Sequence, residues 1–233
     1  MVAPLVLVPG FMSDFRVFLP QLKTLSPEYS IQIAPTISSD SIAAIAKYTI
    51  ERAPETFALA GIGMGGIIAM EMLALAPRRI DRLMLINTSC QLELPAEAAA
   101  RESHIVGARA GRLKDAVLAG LPPETLAPGP DRFEVLNKMT EMALDLGPEV
   151  FVRQSRAMQR RFDQQGTLRR AKTPTLVVCG EHDAIYPVRR HEFMAELMPN
   201  AALETIQDAG HLPTLEQPDR LTDLTRDWLH VRL

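Results

Sequence analysis

The chain holds 233 residues, 47% hydrophobic and 23% charged, the balance of a folded globular protein, which excludes a disordered one. Its 25 Lys and Arg stand against 28 Asp and Glu, a net charge of −3, so no positive excess points to nucleic acid or an anionic membrane as partner. A chain this long can bury a core without disulfides or metals; Cys90 and Cys179 sit in or beside apolar runs as buried free thiols, which fits a reducing cytoplasm.

The first apolar run, residues 4–8, has no basic residue before it and stops at Pro9-Gly10, so it reads as a buried strand and not as a signal peptide. No apolar stretch approaches the roughly 18–20 residues that cross a bilayer. Residues 14–25 are helical in period, with Pro20 as an interruption, and residues 31–34 form a second strand closed by Pro35. Asp40 or Ser41 caps a helix to about residue 53, with Ile42, Ile45, Ala46 and Ile50 on one face. A third strand at 57–60 runs into a glycine cluster, then an apolar helix at 67–76 stopped by Pro77, then a fourth strand at 83–86. This alternation predicts parallel strands joined by crossover helices, and the unbroken apolar strands predict a sheet covered on both faces.

After Cys90 the rhythm breaks. Residues 91–170 offer helical patterns at 96–119, 132–146 and 149–162, separated by Pro122-Pro123 and Pro128-Gly129-Pro130. Strands resume at 175–178 and 203–206, and a helix at 218–230 ends the pattern. The expectation is one α/β domain over residues 1–233, a mainly parallel sheet with helices on both faces and a helical insertion at about 91–170. That insertion is placed to form a cap or lid over a site at the strand ends; the plainer reading is a set of packing helices.

The cluster Gly61-Ile62-Gly63-Met64-Gly65-Gly66 has two chemical readings. Gly61, Gly63 and Gly66 match the G-x-G-x-x-G turn that lets a dinucleotide approach a helix N-terminus. That reading expects an acid at the end of the next strand, where this chain has Asn87-Thr88, and it expects the cluster on the first strand of its domain. The second reading is a G-x-S-x-G nucleophile elbow with Gly63 in the serine position. A close-packed turn without chemistry is the third.

Later residues weigh on the choice. Gly180-Glu181-His182-Asp183 and Asp208-Ala209-Gly210-His211-Leu212-Pro213 follow consecutive strands, where catalytic groups of an α/β sheet belong. Elbow, acid and histidine then run in the order 63, 183, 211, the order of an α/β-hydrolase triad. These stretches, with Leu5-Val6-Leu7-Val8-Pro9-Gly10-Phe11 and Gly210-His211-Leu212-Pro213-Thr214-Leu215-Glu216-Gln217-Pro218, resemble the α/β-hydrolase superfamily over nearly the whole chain. The likeness is greatest to small bacterial carboxylesterases and enol-lactone hydrolases. The resemblance implies Asp183 as triad acid, His211 as general base, and the backbone N–H groups of Phe11 and Met64 as oxyanion hole. It implies hydrolysis of a carboxylic ester or lactone by Ser-His-Asp chemistry, with no cofactor and no metal.

Gly63 departs from that pattern. A glycine cannot attack an acyl carbonyl or form an acyl-enzyme, so the chain is expected to be a silenced or strongly impaired hydrolase. A small-molecule binding protein or a cofactor-free His-Asp enzyme on the same fold is the alternative, and a dinucleotide binder a remote one. Met12, Leu92, Met139 and Met142, beside Met64, are candidates to line an apolar substrate pocket. His104, His182, His191 and His230 lack metal-ligand spacing and receive no role.

Overall fold

The computed structural model describes residues 3–230. Its strands are β1 (Leu5–Val8), β2 (Ile31–Ile33), β3 (Phe57–Ile62), β4 (Ile80–Ile86), β5 (Thr175–Gly180) and β6 (Ala201–Ile206). They form one six-stranded parallel sheet in the order β2-β1-β3-β4-β5-β6. Because side chains alternate along a strand, each apolar run serves two cores. Leu5, Leu7, Ala58, Ala60, Met84 and Ile86 pack on one face; Val6, Val8, Phe57, Leu59, Leu83 and Leu85 pack on the other. This is why β1 and β3 are apolar throughout, as expected of a covered parallel sheet.

Helices close both faces. Before α1 (Leu19–Leu25) lies a turn of 3-10 helix, Phe15–Phe18, capped by the Asp14 carboxylate on the Arg16 N–H. Pro20 falls in the first turn of α1, where no intrahelical N–H is needed, so it starts this helix instead of breaking a longer one. Ser41 accepts the Ala44 N–H and caps α2 (Ile42–Arg52). The next helix, α3 (Met64–Leu75), begins three residues earlier than its apolar pattern suggests, directly at the glycine turn, and is buried along most of its length.

Between β4 and β5 the chain forms α4 (Pro95–Arg109), α5 (Leu113–Gly120), α6 (Arg132–Gln159) and α7 (Gln165–Arg170). The expected single helix over 96–119 is divided at Gly111, whose φ is +83°. The two expected helices at 132–146 and 149–162 abut as α6, kinked at Gly147 (φ +82°) with Pro148 following. Then come α8 (Val188–Leu197) between β5 and β6, the single turn α9 (Pro213–Glu216), and α10 (Pro218–His230). The sequence pattern did not reveal α7 and α8. Cys90 and Cys179 are buried free thiols, and burial raises both above the ordinary thiol range, Cys90 to about 11. Among the described residues no helix is long and apolar enough to cross a membrane.

Candidate active site

The turn between β3 and α3 is sharp, with Gly63 at φ +55° and ψ −118°. Its N–H donates to the Ile86 carbonyl at 3.0 Å, and its own carbonyl accepts the Thr88 hydroxyl at 2.7 Å. The glycines around it are required by packing: a Cβ on Gly61 would lie 2.3 Å from the Gly65 carbonyl oxygen, and one on Gly65 would lie 2.0 Å from that of Val8. One on Gly66 would meet the Thr88 side chain at 2.7 Å. The glycine spacing is thus explained by backbone contact within the sheet and helix, which leaves the dinucleotide reading without a cause of its own. Gly63 differs from its neighbours. A Cβ there would meet the Nε2 of His211 at 3.6 Å, an ordinary contact, and the Asn87 carbonyl oxygen at 3.9 Å.

His211 follows β6, and Asp183 follows β5. The Nδ1 of His211 lies 3.0 Å from Oδ2 of Asp183. Asp183 is buried, and its Oδ1 accepts the N–H groups of Ile185 at 2.8 Å and Tyr186 at 3.0 Å, which fixes the carboxylate plane. Burial favours a neutral imidazole. The charge and hydrogen bond of Asp183, with Glu216 behind them, outweigh that burial and raise the His211 pKa above the ordinary histidine value. Gly63, Asp183 and His211 are therefore brought together, with the second ring nitrogen of His211 facing the Gly63 position.

Residues not singled out from the sequence hold this arrangement. Asn87, at φ +40°, donates to the Gly210 carbonyl at 2.6 Å and accepts the Gly180 N–H at 2.9 Å, tying the ends of β5 and β6 together. The Glu216 carboxylate accepts N–H groups on either side of His211, from Gly210 at 2.9 Å and Leu212 at 2.8 Å, and takes a third from Ala127 at 2.7 Å. The His211 N–H itself donates to the Thr125 carbonyl at 2.8 Å. His191, completely buried, accepts the Thr88 N–H at Nε2 (3.1 Å), and burial depresses its pKa to about 4. Its neutral ring is a structural prop under the elbow.

Phe11 and Met64 flank the same space. The Met64 N–H lies in the first turn of α3, which has no intrahelical acceptor. The loop after β1 is set by Met12, at φ +51°, whose N–H donates to Oε1 of the buried Gln154 at 2.7 Å. Gln154 comes from α6 and also donates to the Thr36 carbonyl at 3.2 Å.

A cavity of about 200 Å³ opens above Gly63 and reaches Phe11, Met64 and His211. Met12 and Met139 line it, as expected. Leu92 and Met142 do not. Leu92 precedes α4 and is half exposed, while Met142, on α6 beyond Met139, is packed into the core. The wall is completed by Met158, Tyr186 and the α4 residues Glu97, Arg101 and His104, whose orientation depends on how the helices pack and not on any local pattern. Among the described residues no cluster of His, Cys, Asp and Glu could hold a metal ion.

The chain has relatives by sequence and by fold. The chain is 26% identical over 230 residues to the pimeloyl-acyl-carrier-protein methyl ester esterase of Legionella pneumophila strain Paris, covering 93% of this chain and 90% of that protein. A thermophilic esterase from Thermogutta terrifontis, solved with malate bound, superposes with a TM-score of 0.87 at 27% identity, over 98% of this chain and 91% of that one. The enol-lactonase of Burkholderia xenovorans LB400 shares the fold, with a TM-score of 0.82 at 22% identity over 98% and 91% of the two chains. The sequence profile of the alpha/beta hydrolase family matches residues 5–224, and the chain belongs to that family.

Proposed function

We propose that this is an ester- or lactone-hydrolysing site whose nucleophile position is occupied by Gly63, so that the chain binds such substrates and turns them over weakly or not at all. One observation carries the reading: at Gly63 a side chain would meet His211 Nε2 in ordinary contact, while the neighbouring glycines admit no Cβ. The position has the geometry of a nucleophile without the atom. In the full mechanism a serine oxygen attacks the acyl carbonyl as His211 takes its proton. Asp183 would hold the ring through Nδ1, and the N–H groups of Phe11 and Met64 would receive the developing oxyanion.

With Gly63, His211 can act as base only toward a water, which lacks the covalent placement of a serine oxygen. Loss of the nucleophile costs roughly 10⁶ in turnover in a serine protease, about 8 kcal/mol of barrier. Helices α4 to α7 are read as the cap over the cavity, and the buried thiols suit a reducing compartment such as the cytoplasm.

Gly63→Ser tests the reading. It should hydrolyse short p-nitrophenyl esters with a burst, because an acyl-enzyme forms first. Its rate should rise with pH through a midpoint above the usual histidine value, since His211 must be neutral to accept the proton. Adding His211→Ala should abolish the gain, whereas His211→Ala alone should change little in the chain with Gly63. An inactive Gly63→Ser would favour a binding protein; strong ester hydrolysis with Gly63 in place would point to a different nucleophile or to a water activated directly.

A further inference from the structure

We propose that Arg101 is an anion-binding residue of the cavity, and that the ester or lactone accepted there carries a free carboxylate. The proposal rests on the reading of the cavity as an ester site and names its substrate class.

Glu97, Arg101 and His104 are spaced i, i+4 and i+7 on α4, so one helix face turns all three toward the cavity. The rest of the lining is largely methionine and aliphatic, and a guanidinium there is costly unless paired. Glu93 is the partner of Arg101: it accepts from Nη2 at 2.5 Å and from Nε at 3.1 Å. The same Glu93 oxygen is shared with Arg161, whose Nη1 lies 3.3 Å away, and the side chains of Glu93 and Arg161 are each only 3% exposed. One carboxylate thus faces two guanidinium groups. Glu97 does not restore the balance, because it lies 3.9 Å from Arg190 while receiving the Leu94 N–H at 3.0 Å. Arg101, Arg161 and Arg190 meet Glu93 and Glu97 along this wall, and Arg101 shares its one carboxylate with Arg161.

The geometry directs the charge of Arg101. Glu93 engages Nε and Nη2 of Arg101 and so holds the planar group in one orientation, while Nη1 has no partner among the described residues. The Arg101 Cζ stands 5.4 Å from the centre of the ring of Phe11, which lines the same cavity as Gly63. A carboxylate on the substrate can accept from Nη1 while the ester carbonyl lies toward Phe11 and Met64. Planar, charge-assisted pairing of this kind is what arginine does better than lysine.

The chain with Gly63 suits an equilibrium test, because on that reading it turns a bound ester over weakly or not at all. Monomethyl and dimethyl glutarate, titrated calorimetrically, differ in one carboxylate. The half-ester should bind about tenfold more tightly than the diester. Arg101→Gln should bring the ratio of the two affinities to about one. Equal affinities in the unchanged chain, a measurement that needs no variant, would overturn the assignment, as would a preference that survives Arg101→Gln. Turnover separates this failure from that of the ester reading. Hydrolysis of both esters by Gly63→Ser without preference would overturn the role of Arg101 and leave the ester site standing. A half-ester binding preference beside an inert Gly63→Ser would keep the anion site and remove the ester chemistry.

Discussion

Gly63 and its neighbours are the same residue type under opposite constraints. Gly65 is glycine because another backbone occupies its Cβ position, 2.0 Å from the Val8 oxygen. Gly63 has room for a side chain but sits at φ +55°, a conformation that costs any L side chain about 1 kcal/mol or somewhat more. Gly63→Ser should therefore fold and lose about 1 kcal/mol, read from its denaturation midpoint, while Gly65→Ala should lose at least ~3 kcal/mol or fail to fold. A serine variant more stable than the parent would show that the turn is not strained. Buried His191 and the partly exposed His211 make opposite demands on pH. His211 has a raised folded pKa, so its contribution is full below about 6.5 and is lost as pH rises through the folded value. His191 is depressed to about 4, so its neutral ring supports folding above pH 6.5 and that support drains away as pH falls toward 4. The loss from His191 should amount to roughly 3 kcal/mol across that interval. Urea unfolding of His191→Gln against the parent should therefore show a flatter acid limb in the variant; equal slopes would refute the assignment.

At the scale of elements, the structural support runs from the helices between β4 and β5 back into the sheet. Gln154 on α6 accepts the Met12 N–H at a strained residue, and the segment before α6 holds His211 through the Thr125 carbonyl and Glu216 through the Ala127 N–H. Gln154→Ala would leave the Met12 N–H and the Thr36 carbonyl without these bonds, a loss of about 2–3 kcal/mol. Amide exchange at Met12 should quicken well beyond the global change; an unaltered rate there would mean that Gln154 only packs. Helix α4 is tied to the end of α6, through Gln159 to the Ala98 carbonyl and through the Arg101–Glu93–Arg161 cluster. These links also mark what the sequence could disclose. The apolar strands, the elbow and the order of Gly63, Asp183 and His211 were legible because each is written in a local run or turn. Helix α8 was missed because its buried face is interrupted by His191, which reads as polar until Thr88 is seen beside it. Arg101 and Met158 escape a sequence reading, and Met142 faces away from the cavity, because the face a helix turns is decided by the breaks at Gly111 and Gly147 and by distant contacts; Tyr186 and Leu92 lie in loops whose course no local pattern sets.

At the scale of the whole molecule, the long excursion lies between two paired strands: Leu83 on β4 is the partner of Thr175 on β5. Everything on one side of the excursion carries Phe11, Gly63 and Met64; everything on the other carries Asp183 and His211. The turn at Gly111 is exposed, with no atom within 4 Å of where a side chain would be. A chain cut there falls into one piece with β4 as a bare apolar edge and another holding only β5 and β6. Each piece alone should aggregate, because an unpaired hydrophobic edge seeks another strand. Coexpressed, the two should zip along β4 and β5 into a complex that recovers the ester binding proposed for the intact chain, since only the reunited edge sets His211 against Gly63. The sheet's own seam would then serve as a two-part sensor, reporting through a small-molecule ligand that its halves have met.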